Sequence, residues 1–193
     1  EVELQLVATG ASDAEAEEKV EALASRIRGV LGPRVFTERG ETIEQVVVKH
    51  TPRRKDTTAA EKREVLRRLI RSEGEALTNG IIFCNRKVDV DILAKSLRQH
   101  GFDAAPLHGD LEQSMRTRIL GRFRDGELKL LIASDVAARG LDIPNVRHVF
   151  NFDVPIHSED YVHRIGRTGR AGRSGKSITL CLPHEEKYLA KIE

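Results

Sequence analysis

The chain has 193 residues, of which 39% are hydrophobic, 32% charged and 4% aromatic, with a net charge of +2 and no Trp. That is enough for one domain with an appendage and a proper buried core. Apolar runs such as residues 81–84 and 130–133 are too short to span a bilayer, two cysteines are too few for a disulfide scaffold, no Cys/His cluster has zinc spacing, and so few rings disfavour a base-stacking surface.

Residues 1–41 read as a small unit of their own. Residues 2–8 are strand-like, and Ser12, Asp13, Ala14 and Glu15 form a capping-box signature. The helix that follows places Val20, Leu23, Ala24, Ile27, Val30 and Leu31 on one face, and Gly32-Pro33 stops it. Residues 34–37 read as a second strand, which makes a β-α-β extension of unknown role.

Residues 42–193 read as a second unit. Strand-like runs at 43–48, 80–84, 103–107, 129–134, 146–151 and 177–182 alternate with helical segments at 59–72, 87–100, 112–124 and 158–164. Short strands that are apolar throughout, separated by helices, predict an α/β fold with a doubly wound parallel sheet. Cys84 and Cys181 fall inside strand runs and are expected to be reduced core residues of an intracellular, cytoplasmic protein. Phe83, Phe150 and Phe152 read as core. His50, His100, His148, His157 and His184 read as surface or packing residues, and Arg63, Arg67, Arg68 and Arg71 as a solvated helix face.

Ligands of such sheets gather at the carboxyl ends of the strands, so the loops after Cys84, Leu107, Ala133 and Asn151 are where chemistry belongs. Four arginines and three glycines crowd residues 163–173. Glycines allow close approach, and guanidinium forks match phosphate oxygens. Arg167 and Arg170 are three apart, so a helical turn would aim both at one polyphosphate. A solvated basic loop is the ordinary meaning of such a run. Three other segments weigh against it: residues 133–142, with Ser134, Asp135, Gly140 and Asp142; residues 81–87, ending in Asn85, Arg86 and Lys87; and residues 107–110, followed by Gln113 and Arg116. Charge is also lopsided. Residues 1–50 hold six basic and ten acidic side chains, and residues 51–193 hold 26 and 20, the balance of a domain that meets polyanions.

In this order and at these strand ends, the segments closely resemble the C-terminal RecA-like lobe of DEAD-box RNA helicases, over roughly residues 42–193. The runs 133–142 and 161–173 match the family's motifs nearly letter for letter, with His163 favouring DEAD-box over DEAH-type members. Ser134 stands where many members have Thr, which keeps the hydroxyl. The resemblance implies that Arg167 and Arg170 reach the ATP γ-phosphate as arginine fingers, with His163 at the catalytic interface and Arg164 holding the motif. It implies that Asp142, beside Gly140, meets the ATP ribose. Asn85, Arg86, Lys87, Gly109, Asp110, Gln113, Arg116 and Ser134 are then the RNA-backbone side. ATP is bound with Mg2+, which is held mainly by an N-terminal lobe. The implied partners are RNA and that lobe, with no membrane and a monomeric state.

The other lobe's Walker A loop and Asp-Glu-Ala-Asp box do not occur in this sequence. Gly175-Lys176-Ser177 resembles a P-loop end, but Arg170 occupies the required glycine position and the following residues read as a strand. The chain by itself is therefore expected to hydrolyse no ATP. Residues 1–41 are faintly similar to a segment of the competence/damage-inducible family, which leaves open a fusion or a divergent packing extension. The alternative function is a non-catalytic RNA-binding or regulatory module that keeps the helicase lobe.

Overall fold

The computed structural model describes residues 43–51, 58–138, 143, 146–169 and 174–192. The predicted extension at 1–41 lies outside the described residues, as do Gly140, Asp142 and Arg170.

Six strands form one parallel sheet: β1 Ile43–Lys49, β2 Gly80–Cys84, β3 Ala104–Leu107, β4 Leu130–Ser134, β5 His148–Asn151 and β6 Gly175–Cys181. Their order is β1-β6-β5-β2-β4-β3. The helices are α1 Thr58–Glu73, α2 Lys87–Gln99, α3 Gln113–Arg124, α4 Asp135–Ala138, α5 Ser158–Ile165 and α6 Glu186–Leu189. The predicted strands and longer helices are all present, with ends shifted by one or two residues. Two short pieces were not foreseen: α4, where a loop was expected, and the turn Pro183–Glu185 leading into α6.

Every residue of β2 and β4 is buried. Alternate side chains therefore serve two cores. Ile82, Cys84, Ile132, Phe150 and Leu180 pack with Leu66 and Ile70 of α1 and Leu93 and Leu97 of α2. Ile81, Phe83, Leu131, Ala133 and Val149 face the other way, onto Ile119 and Phe123 of α3 and Ala137 of α4. A strand covered on both faces has no polar side to show, hence the continuous Ile/Leu/Phe runs. Burying each large aliphatic side chain contributes about 1.5–3 kcal/mol. Both cysteines are buried free thiols, and burial pushes the Cys84 thiol well up.

The chain runs outward from β2 to β3, returns to β4, then crosses past β2 to β5. Strands β5, β2 and β4 thus lie side by side, and the residues just beyond them (Asp153, Asn85 and Asp135) emerge next to one another. A buried cation braces this edge from below. Lys62 of α1 is only 3% exposed, and its Nζ donates to Asp153 Oδ1 and Glu185 Oε2, each at 2.9 Å. Glu185 also accepts from the backbone N–H groups of Val154 and Leu182. The C-terminal turn is thereby tied to the loop after β5.

Candidate functional site

Arg164 is the hub at these strand ends. It sits on α5, whose apolar residues Tyr161 and Ile165 bury one face and carry Arg164 inward to 1% exposure. Its Nε and Nη2 fork onto the two oxygens of Asp135, at 2.6 and 2.7 Å. Nη2 also donates to Asn85 Oδ1 at 2.7 Å, and Nη1 donates to the Asp153 carbonyl at 2.8 Å. The guanidinium lies 5.3 Å from the centre of the Phe83 ring. One arginine therefore joins the ends of β2, β4 and β5.

Asn85 is held from three sides. Its N–H donates to Asp153 Oδ2, its amide Nδ2 to the Val154 carbonyl, and its Oδ1 accepts from Arg164. The side-chain amide is thus engaged inside the protein, two residues before α2 begins. A hydrogen-bonded path runs from Glu185 through Lys62, Asp153 and Asn85 to Arg164 and Asp135. Lys62, Asp153 and Glu185 were not foreseen from sequence. Their partners lie up to 123 residues away, and no local pattern marks them.

Phe83, Asp135, Ala138, Asp160, His163, Arg164 and Arg167 line a small open pocket. His163 is exposed on α5, whereas Arg167 is half-buried, with Nη2 donating to the Ala138 carbonyl at 3.3 Å. Of the helical turn expected to link Arg167 to Arg170, only the Arg167 side falls within the described residues, where the Arg167 N–H donates to the Arg164 carbonyl and the Thr168 N–H to the Ile165 carbonyl. Helix α5 ends at Ile165, and Thr168 forms a parallel bridge to Val146 while its Oγ1 donates to the Val146 carbonyl at 2.6 Å. Gly169 then takes φ 66°, a left-handed conformation suited to glycine. The chain turns out of the helix before Arg170.

The polar residues at the neighbouring strand ends form a second group. Arg86 is exposed and forks onto Asp89 through Nε and Nη2, which raises its pKa. Lys87 pairs with Asp110 at 2.8 Å, and that bond holds the Asp110 carboxyl below its usual range. A Cβ at Gly109 would meet nothing within 4 Å, so this turn presents open backbone. Arg116 Nη1 donates to Gln113 Oε1 at 3.3 Å, while its buried Nε has no partner. Ser134 ends β4 opposite Cys84, 9% exposed. The structure thus gathers Asn85, His163 and Arg167 around Arg164, leaves Ser134 at the end of β4, and sets Arg86, Lys87, Gly109, Asp110, Gln113 and Arg116 beyond the ends of β2 and β3.

Among the described residues, no cluster of three or more His, Cys, Asp or Glu could hold a metal ion. Asp135 has both oxygens on Arg164, so it is not placed as a ligand. No helix of the described residues is long and apolar enough to cross a membrane.

A parallel sheet with helices on both faces, its carboxyl strand ends joined by a buried arginine of α5, is the architecture of a RecA-like helicase lobe. Residues 61–172 match the helicase conserved C-terminal domain, and the chain belongs to that family, as the C-terminal lobe of a DEAD-box helicase. The ATP-dependent RNA helicase CshA of Limosilactobacillus reuteri is 50% identical over 133 residues, covering 69% of this chain and 26% of that protein. The DEAD-box ATP-dependent RNA helicase CshA of Streptococcus pneumoniae is 55% identical over 113 residues, covering 58% and 22%. Among solved structures, the E. coli DEAD-box protein SrmB, bound to regulator of ribonuclease activity A, superposes with a TM-score of 0.71 at 37% identity, covering 79% of this chain and 85% of that one. The chain spans about a quarter of the length of the curated relatives it matches.

Proposed function

We propose that this chain is the C-terminal half of an ATP-dependent RNA helicase, supplying arginine fingers to ATP hydrolysis and half of a sequence-independent RNA track. The observation that carries this reading is Arg164. Its five donors fix Asp135, Asn85 and the α5 end together, and so place Arg167 at the mouth of the pocket between them. In this reading Arg167 and Arg170 meet the γ-phosphate of ATP bound on an N-terminal lobe. His163 lies at the interface of the two lobes, and Asp142 beside Gly140 holds the ribose. Guanidinium groups aimed at a transferring phosphoryl group stabilise its spreading negative charge. In this reading Mg2+ is held mainly by the N-terminal lobe.

RNA crosses the ends of β2, β3 and β4. Arg86, Lys87, Arg116 and Gln113, with Ser134 and the open Gly109-Asp110 turn, grip phosphate and sugar. Such contacts position the strand without reading bases. Closure of the two lobes on ATP and RNA holds the RNA in a shape a duplex cannot keep, and release reopens the cleft. The protein works as a cytoplasmic monomer, with residues 1–41 outside this chemistry.

The test is RNA-stimulated ATP hydrolysis by this chain alone, with a competent N-terminal lobe fused to it, and with Arg170→Ala in the fusion. The expected result is no turnover alone, turnover in the fusion, and a loss of at least 10³-fold on substitution, about the scale of an arginine finger. A fused protein that binds RNA but never hydrolyses ATP would instead identify a binding or regulatory module.

A further inference from the structure

The outer face of α3 carries an exposed arginine stripe that the site above does not use. The helix reads Gln113-Ser-Met-Arg-Thr-Arg-Ile-Leu-Gly-Arg-Phe-Arg124, with four arginines and no acid. Ile119 and Phe123 turn one face into the core, with Arg116 and Leu120 half-buried beside them. Met115, Arg118 and Arg122, spaced i, i+3 and i+7, lie along the solvent side, where Met115 is 45% exposed. Arg122 has only a 3.8 Å approach to the exposed Glu127, and Arg118 has no ion-pair partner among the described residues. Like charges four residues apart on a helix destabilise it by about 0.2–0.5 kcal/mol. An anion laid along the stripe removes that cost.

Position says which anion. Helix α3 returns the chain between two parallel strands, so it runs antiparallel to them. Its first turn, with Gln113 and Arg116, adjoins the Gly109-Asp110 turn, and its far end points away from the site. We infer that a single RNA strand leaving the track at Arg116 continues along the outer face of α3, with Arg118 and Arg122 each taking a backbone phosphate and Met115 giving a base an apolar surface. This inference rests on the RNA-track reading above and extends its path by two phosphates.

The experiment measures binding of this chain to mixed-sequence single-stranded RNA of about 6 and about 20 nucleotides, by fluorescence anisotropy across a salt series. For single strands the log-log salt slope is about 0.7 per phosphate contacted, so losing two contacts flattens it by about 1.4. Between roughly 50 and 200 mM salt the parent's affinity for the long RNA should therefore fall about sevenfold more than that of the Arg118→Ala/Arg122→Ala variant. The short RNA should bind both proteins alike. Both substitutions are on an exposed helix face, so circular dichroism should be unchanged. Identical slopes on the long RNA would overturn the extended path. So would an equal loss on both lengths, or loss of binding to poly-glutamate with RNA binding intact, which would mark a site for an acidic protein. Arg86→Ala and Arg116→Ala provide the separate control. If they leave short-RNA binding untouched, the track reading fails. If they weaken it while Arg118 and Arg122 do not matter, only the extension fails.

Discussion

Arg164 has five N–H donors, and five hydrogen bonds leave it for Asp135, Asn85, Asn151 and the Asp153 carbonyl. A cation at 1% exposure survives only because its partners replace its hydration. Removing it leaves the Asp135 carboxylate facing an apolar side chain. Arg164→Met should destabilise the domain by about 3–5 kcal/mol, the usual consequence of breaking a buried pair on one side. Adding Asp135→Asn should recover part of that loss, because the orphaned charge goes too. Urea unfolding of the two variants checks this. A single variant within about 1 kcal/mol of the parent would mean that the network does not hold the strand ends together. Lysine is not a substitute, since one ammonium cannot fork onto two carboxylate oxygens and still reach Asn85.

At the scale of elements, the arginine-rich loop is pinned where it leaves and rejoins the sheet. A Cβ on Gly175, the first residue of β6, would overlap Thr168 Oγ1 and lie 2.6 Å from the Gly169 N. The Thr168 hydroxyl is fixed by bonds to the Val146 and Arg147 carbonyls, so it cannot step aside. Gly175→Ala should cost about 1–3 kcal/mol, the usual range for overpacking. It should also displace Arg167, lowering RNA-stimulated turnover in the two-lobe protein by more than the stability loss explains. Thermal melts and turnover below the transition separate the two effects, and an unchanged melting temperature would refute the close packing. The sequence argued against a P-loop at Gly175-Lys176-Ser177 but started the strand at Ser177, two residues late, and offered no reason for the glycine. The strands β2 and β4 were legible because burial on both faces leaves apolar runs, and the family because the order of its motifs is distinctive. Helix α4 was missed because one turn carries no periodicity. Lys62 was missed because a buried lysine looks, in sequence, like any other helix lysine. The Thr168–Val146 bridge is a tertiary contact with no local signal.

Across the whole molecule, the site occupies the carboxyl end of the sheet, while a titratable cluster closes the amino end. Glu73, at the end of α1, bonds His148 of β5 through Oε2 and Lys176 of β6 through Oε1, each at 3.0 Å, and Lys176 reaches Glu44 of β1 at 3.4 Å. Three strands and a helix meet there. Burial pushes the His148 pKa below its ordinary value, against the pull of Glu73 and with help from Lys176 and Arg147. Burial also pushes the Glu73 carboxyl up, but the bonds from Lys176 and His148 outweigh it and hold the pKa low. For both groups the unfolded chain takes up a proton more readily than the folded one, so stability falls as pH falls. The histidine acts first. Its contribution is complete above its unfolded pKa of about 6.5 and is lost as pH drops through that value toward the lower folded one. Protonation also places an N–H on His148 Nδ1, a buried atom with no partner. The Glu73 contribution persists until pH falls below about 4.3. Urea midpoints should therefore decline between about pH 7.5 and pH 5.5. His148→Gln, which keeps a donor for Glu73 but does not titrate, should flatten that decline. An equally steep decline in the variant would place the pH sensitivity elsewhere, and the amino end of the sheet would then be held by the Glu73–Lys176 pair alone.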